Sequence, residues 1–468
     1  MKTKILINIL ILLLVLLPSS LTFKDSCDTG YDVTSFGAIG DGISLDSIAI
    51  QAAIQAAALC PQGSKVILSQ LPLPSPSIFL SGPIFLESNV NFYIEKGATL
   101  QASTNLSLWT SALKPSLWQP TTLGFINGGR CLSNNTVGTN CTFWHNLKNV
   151  TLSGNGIIDG SGSAWWGMST WWPNTILPKP FMLELALIDG LHITGLTLAH
   201  SAHWTIVPIL SKNILIEEIF LDAGVDRMVY PYNGYNIDGL DSNNVINMTL
   251  RNSILLSGDD CVALNSRGVD ASTGDFPSEN ITIGPNVTCI TPISIGSGTG
   301  LGIYNVTIRD SIINARWGIE SPEWRPRWYK TALRFKTARG RGSAGVANVI
   351  VSNITAIGVD LFVDSQPFYS CQNSSGTINW KFCVENAQPP PQPPSEAPAY
   401  VNISFKSLKG DAWRFAWLEG LPEHPGYNWT FDDINVDTIQ NEWVCNNIEG
   451  STGGNVRPPS GDCFIGKG

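Results

Sequence analysis

The stretch that decides the fold is a four-residue unit, Asn-Ile-Thr-Ile at residues 280–283, which returns as Asn-Val-Thr-Ile at residues 305–308. In each unit an asparagine stands at a turn position, and β-branched residues after it alternate as they do along a strand. Related units recur at loose spacings of about twenty to about fifty residues, the range of coiled repeat architectures. They begin at Asn149, Leu191, Asn213, Asn247, Asn280, Asn305, Asn348 and Asn402.

No helical periodicity separates these units, so they favour stacked strands over a sheet of strand–helix–strand units. We therefore predict an all-β protein, a single-stranded right-handed parallel β-helix in which each coil buries its inward residues against its neighbours. A large β-sandwich is the alternative that the pattern leaves open.

Two further segments bear on the domain organisation. Residues 46–59 are rich in alanine and carry apolar residues at helical spacing, which predicts an N-terminal helix that caps the open end of the solenoid. Residues 388–398 form a proline-rich stretch, which we interpret as an exposed loop because strand-like units continue after it. We therefore predict one domain over residues 24–468.

The chain carries few charged residues. They make up 14% of the sequence, against roughly 25% in an average globular protein. This composition excludes a disordered chain and a long coiled coil, both of which need more charge. The formal net charge of −9 leaves no basic excess to neutralise phosphates, so we expect no nucleic-acid partner.

The first residues have the pattern of an export signal. Two lysines precede an unbroken apolar run that ends in small residues, so residues 1–23 are predicted to be a cleaved signal peptide that leaves no membrane anchor. All ten cysteines follow this segment, which favours disulfides in an oxidising compartment. Cys131 with Cys141, or Cys371 with Cys383, would each close a short loop, although the sequence does not fix the pairing.

Sequons are plentiful, for example at Asn149, Asn280 and Asn353. They are typical of an exported glycoprotein, although some are equally explained as strand threonines that follow a turn asparagine.

Three carboxylates form the most informative cluster in the sequence. Asp238 lies 21 residues before Asp259, about one coil of a β-helix, and Asp260 follows directly. Residues one coil apart stack on one face, so the three side chains are expected to converge. Clustered carboxylates raise at least one pKa and leave a proton donor beside ionised neighbours, as glycoside hydrolysis requires. Turn chemistry and a calcium site are the alternatives.

A basic segment adds a second indication. Eight cations and only two acids lie between residues 316 and 341. Arg334 and Lys336 alternate as in a strand, so we expect both to point to one side and to bind a carboxylate. Acidic machinery beside cations implies an acidic polysaccharide as the partner, although a solvated basic face is the alternative. The eight are Arg316, Arg325, Arg327, Lys330, Arg334, Lys336, Arg339 and Arg341.

In these residues the sequence resembles the polygalacturonases, glycoside hydrolase family 28, over nearly all of the mature chain. Asn-x-Asp at 236–238, Gly-Asp-Asp at 258–260 and Arg-x-Lys at 334–336 follow one another in the family's order and spacing. Further matching segments lie at residues 36–42, 81–86, 95–100 and 156–162, the last followed by Trp165 and Trp166.

The resemblance implies a pectin-lyase-like β-helix and an inverting mechanism. It implies that Asp259 is the general acid and that Asp238 and Asp260 hold and deprotonate the attacking water. Arg334 and Lys336 would bind the galacturonate carboxylate on the leaving-group side, and Asn236 would join the substrate-binding residues. Inversion predicts carboxyl groups roughly 6.5–9.5 Å apart.

Two positions depart from the family pattern. Thr291 stands where polygalacturonases usually carry a histidine that assists the acid, and Ile237 replaces a threonine. Branches without the histidine include rhamnogalacturonan-cleaving enzymes, so the linkage that is cut stays open. His200 and His203 lie beside Trp204, where packing or substrate stacking fits better than catalysis.

The expected function is therefore a secreted, cell-wall-located, monomeric hydrolase of α-1,4-galacturonosyl linkages in pectin, without cofactor or metal. The alternatives are a rhamnogalacturonan-cleaving or exo-acting hydrolase, a calcium-dependent lyase and a wall-binding protein that has lost catalysis.

Overall fold

The computed structural model describes residues 27–109, 123–131, 144–166, 179–224, 236–267, 275–316, 330–339, 344–369 and 397–464. The predicted signal peptide lies outside these residues, as do Cys141, Cys371 and Cys383 of the two suggested disulfides and nearly all of the proline-rich segment. The described segments contain three other disulfides, Cys27–Cys60, Cys261–Cys289 and Cys445–Cys463, so the expectation of disulfide bonds is confirmed.

Nearly all described strands belong to one continuous sheet that winds around a core, and successive coils pair in parallel. The predicted parallel β-helix architecture is thereby confirmed, and the β-sandwich alternative is wrong, because its sheets would need antiparallel neighbours. Among the strands that the structure describes, only the short pair Arg130–Cys131 and Trp144–His145 is antiparallel.

The coils form three faces. Strands of the first face are Tyr31–Asp32, Ser64–Leu68, Val90–Ile94, Leu147–Gly154, Ile188–Thr194 and Ser278–Ile283. Strands of the second face are Asp41–Leu45, Ile78–Ser81, Thr99–Ala102, Ile157–Asp159, Thr197–Ala199, Phe220–Asp222, Ser253–Leu256 and Val287–Cys289. Strands of the third face are Ile84–Phe85, Ile126–Asn127, Leu183–Ala186, Val262–Asn265, Ile293–Ile295, Thr331–Lys336 and Val444–Asn446.

Longer strands bend around corners and contribute to two or three faces. The last coils consist almost entirely of such strands, which pair in parallel with the shorter strands of the third face. The longer strands are Ile206–Glu217, Leu240–Arg251, Ile303–Asn314, Val346–Gln366, Tyr400–Glu419, Gly426–Gln440 and Ile448–Arg457.

Inward-facing residues stack in columns along the core. In one such column Ile283, Ile308 and Val351 are paired in register and fully or almost fully buried. The column continues to Phe405 and Phe431, whose rings stack with centroids 4.6 Å apart. The alternation seen in the sequence therefore buries one apolar side chain per coil at each inward position.

The turn asparagines of the repeated units form a ladder. Each has a positive φ, which asparagine tolerates better than most residues. From Asn213 to Asn428 each carboxamide Nδ2 donates to the Oδ1 of the ladder residue one coil before it, at 2.7–3.3 Å for the asparagine pairs. The ladder explains why asparagine marks the start of so many units.

The predicted N-terminal helix is present and spans Ser47–Ala58, with Asp46 at its N-terminus. Ile50, Ala53 and Ile54 are completely buried against the core. Further helices within the described residues are one turn long, among them α-helical Ser163–Trp166 and the 3₁₀ segments Val33–Phe36 and Leu106–Leu108. Within the described residues, no helix has the length and apolarity needed to cross a membrane.

Candidate active site

The predicted carboxylates converge just before two paired strands of the third face. Leu240 pairs with Val262 in register, so the turns that carry Asp238 and Asp260 lie one above the other. One oxygen of each of Asp238, Asp259 and Asp260 lies within 4.8 Å of the other two. The convergence expected from the 21-residue spacing is present, although these oxygens are closer than the roughly 6.5–9.5 Å expected between the carboxyl groups of an inverting pair.

Burial and mutual repulsion set the protonation of two members of the cluster. Burial, reinforced by the charge of Asp260, raises the pKa of Asp259 to about 6. Burial, together with the nearby Asp241, Asp259 and Asp260, raises the pKa of Asp238 well above its ordinary value. Both residues therefore hold their protons more tightly than an exposed aspartate, and Asp259 does so in the mildly acidic range.

Asp260 is the member of the cluster whose negative charge is balanced by cations. Lys336 donates from Nζ to its Oδ2 at 2.5 Å, and Ser294 donates from Oγ to its Oδ1 at 2.8 Å. Arg334 Nη1 lies 3.7 Å from the same Oδ1. Burial opposes the charged form of Lys336, but the carboxylate of Asp260 outweighs it, and the pKa of Lys336 is raised.

Strand Thr331–Lys336 positions the two predicted cations. Its six residues are all buried, and Arg334 and Lys336 both reach the carboxylate cluster, as the alternation predicts. Arg334 Nε also lies 3.9 Å from Asp364 Oδ2, and Lys336 Nζ lies 5.0 Å above the ring of Tyr369. The site is therefore a closely packed set of acids and cations.

The described cations of the basic segment do not all pair with the carboxylate cluster. Arg316 pairs with Asp411 at 2.7 Å and Arg339 pairs with Glu423 at 2.5 Å, both away from the carboxylate cluster. Arg325, Arg327 and Arg341 lie outside the described residues. In this segment Arg334 and Lys336 contact the carboxylate cluster.

The remaining predicted positions support the turn that carries Asp259. The backbone N–H of Asn236 donates to Asp259 Oδ2 over a long 3.4 Å. Thr291 is buried, and its hydroxyl lies 2.6 Å from that of Ser257, which in turn donates to the backbone oxygen of Asp259. Threonine at position 291 thus forms part of the packed base of the site.

Sequence reasoning assigned no role to two further buried acids. Asp241 pairs in register with Ala263 in the strand that follows Asp260, and Asp364 pairs in register with Arg334. Burial, together with the charge of Asp260, raises the pKa of Asp241 well above its ordinary value, and burial raises the pKa of Asp364 to about 6. The sequence could have indicated Asp241, because it lies three residues after Asp238, at the start of the next strand. No feature of the sequence marked Asp364.

The three aspartates also have the donor atoms of a cation site. Calcium takes six to eight oxygen ligands, whereas here the Lys336 ammonium already contacts Asp260 at 2.5 Å. A proton donor, a charge-balanced carboxylate and two guanidinium or ammonium groups are a better match to acid–base cleavage of an acidic glycoside.

The comparison with family models decides the assignment. Residues 65–455 match the model described as "Glycosyl hydrolases family 28". The chain belongs to this family. The motifs at 236–238, 258–260 and 334–336 lie within the match, so the family assigned from them is confirmed, and the protein is a glycoside hydrolase.

Curated relatives of this family 28 hydrolase agree. A probable polygalacturonase of Vitis vinifera is 27% identical over 439 residues, covering 91% of this chain and 79% of that protein. An endo-polygalacturonase of Pectobacterium carotovorum subsp. carotovorum is 27% identical over 336 residues, covering 69% and 72%.

Solved structures show that the fold is shared. An exopolygalacturonase from Thermotoga maritima superposes with a TM-score of 0.65 at 18% identity, covering 92% of this chain and 94% of that one. The polygalacturonase from Erwinia carotovora ssp. carotovora gives a TM-score of 0.60 at 21% identity, covering 88% and 95%.

Proposed function

We propose that this family 28 enzyme hydrolyses α-1,4-galacturonosyl linkages of pectin or polygalacturonate with inversion at the anomeric carbon. The observation that carries the proposal is the arrangement of Asp259 with a raised pKa beside Asp260, whose charge Lys336 balances. Polygalacturonases among the relatives support the substrate class.

In the proposed mechanism Asp259 protonates the glycosidic oxygen as the bond breaks. Asp260 takes a proton from the attacking water, which Asp238 helps to hold. The ammonium of Lys336 has three N–H donors, so it is proposed to bind a carboxylate of the substrate while it still contacts Asp260, alongside Arg334 on the leaving-group side. Asn236 is proposed to contact the substrate near Asp259.

The setting of the enzyme is also proposed. A cleaved signal peptide at residues 1–23 and the disulfides fit an enzyme secreted to the cell wall, acting as a monomer on an acidic polysaccharide. The helix Ser47–Ala58 is proposed to cap the N-terminal end of a right-handed solenoid.

A rhamnogalacturonan-cleaving enzyme is the second candidate, because Thr291 stands in place of the usual histidine. Exo action and a catalytically inactive wall-binding role are further alternatives.

The test of substrate class compares polygalacturonate and rhamnogalacturonan as substrates of the purified protein at about pH 5, with chelator present. We expect new reducing ends from polygalacturonate, without products that absorb in the near ultraviolet. Release from rhamnogalacturonan alone would establish the second candidate, and inactivity on both polymers would count against a hydrolase. Sizing the products separates endo from exo action.

A further inference from the structure

The column of the catalytic aspartates continues toward the N-terminus as two aromatic residues. The backbone N–H of Met182 donates to the oxygen of Trp204, that of Thr205 to Asp238, and that of Gly239 to Asp260, each at 3.0 Å. Phe181, Trp204, Asp238 and Asp260 therefore occupy equivalent positions on successive coils. Since paired strands lie about 4.8 Å apart, Trp204 is one coil and Phe181 two coils from Asp238.

These aromatic rings form a compact platform. The rings of Phe181 and Trp204 are parallel within 1°, with centroids 5.0 Å apart, and His203 packs edge-on against both. Phe181 is buried, whereas Trp204 is only partly buried. Aromatic walls with a few polar groups are the usual lining of ligand sites.

A buried cation lies next to this platform. Lys179 is 5% exposed and forms no ion pair with a carboxylate of any residue that the structure describes. Burial, and next the positive charge of Lys179, lower the pKa of His203. The Nδ1 atom of His203 is buried and has no hydrogen-bond partner among the described residues. An ammonium buried without a counter-ion is costly to the fold, and a ligand carboxylate would compensate it.

We propose that Lys179, His203 and Trp204 form a subsite that binds a galacturonate unit on the glycone side of the cleavage point. The inference rests on the proposed function, which places the leaving group beside Arg334 and Lys336. Because those cations lie on coils C-terminal to the aspartates, the glycone extends toward the coils of Trp204 and Phe181. Burial lowers the pKa of Lys179 to about 8, so it is charged at the mildly acidic pH of the assay.

The experiment measures binding of trigalacturonate and of its methyl ester by calorimetry at about pH 5. The variants are Lys179→Met, Lys179→Arg and, as a control, Lys406→Met, which removes an exposed lysine on the first face. Lys179→Met replaces a buried ammonium by an apolar chain of similar length, so it is expected to fold.

We expect Lys179→Met to weaken trigalacturonate binding roughly 10- to 100-fold, as loss of a charge-assisted hydrogen bond does. Binding of the methyl ester should be unchanged, Lys179→Arg should restore part of the affinity, and Lys406→Met should match the parent. Equal affinity of parent and Lys179→Met, or an equal loss for acid and ester, would overturn the subsite. Binding needs no turnover, so a parent that binds in this charge-dependent way but releases no products would contradict only the proposed function.

Discussion

Asp259→Asn is expected to lower kcat on polygalacturonate at about pH 5 by roughly 10³-fold or more, since general acid catalysis contributes about 10²–10⁴-fold. The amide keeps the size of the side chain but cannot protonate the departing oxygen. Substrate affinity should change little, because Asp259 acts on the glycosidic oxygen mainly in the transition state, whereas the proposed binding contacts come from Arg334, Lys336 and Asn236. Reducing-end assays across a range of substrate concentrations separate kcat from KM.

The matched control is Asp437→Asn, which neutralises an exposed aspartate paired with Arg457 and should leave kcat unchanged. The parent should also lose kcat/KM as the pH rises through about 6, because burial beside Asp260 raises the pKa of Asp259 to that value and deprotonation removes the acid. Retention of more than a tenth of kcat in Asp259→Asn would assign the acid to another residue.

Lys336→Met is expected to lower the free energy of unfolding by about 3–5 kcal/mol, because it leaves the charge of a buried partner uncompensated. The side chains of Lys336 and Asp260 are 6% and 5% exposed, with Nζ and Oδ2 2.5 Å apart. Activity on polygalacturonate should disappear as well, since the variant loses both the charge balance of the proposed base and a proposed substrate contact. Urea denaturation measures the stability.

A double-mutant cycle with Asp260→Asn isolates the pair. In the Asp260→Asn background, Lys336→Met should cost much less stability than it does alone, because no carboxylate is then left unpaired. Additive losses would mean that the 2.5 Å contact contributes no coupling and that Lys336 has another structural role.

The β-helix architecture was predictable because coil after coil repeats the same local pattern, a turn asparagine followed by an alternating strand. A turn asparagine such as Asn280 needs a positive φ and bonds to Asn247 of the coil before it, while Ile281 and Ile283 point into the core. Each coil therefore carries its own turn and strand signals. The convergence of the aspartates was readable for the same reason, since Asp238 lies one coil before Asp260 and Asp259 is the chain neighbour of Asp260.

The electrostatic pairing within the site was not predictable, because it joins coils whose lengths differ. Lys336 meets Asp260 across 76 residues and Arg334 meets Asp364 in the coil after it. Intervening loops of unequal length hide that register from the sequence. The number of cations between residues 316 and 341 was also a poor guide to the substrate-binding residues. Arg316 belongs to that segment but pairs with Asp411, 95 residues away.

The column of Phe181 and Trp204 before the aspartates illustrates the same limit. The sequence indicated packing or stacking near Trp204, but its alignment with Asp238 follows only from the backbone bonds of successive coils. Lys179 gave no sequence signal because burial, which makes its charge significant, depends on the folded coils around it.

The most direct measurement is the anomeric configuration of the first product, followed by proton NMR as the parent enzyme digests polygalacturonate. The α-linked substrate should give reducing ends that are β when they first appear, before mutarotation mixes the anomers, because water attacks opposite the bond that Asp259 protonates. Initial α reducing ends would contradict inversion by this carboxylate cluster, and unsaturated ends would contradict hydrolysis itself.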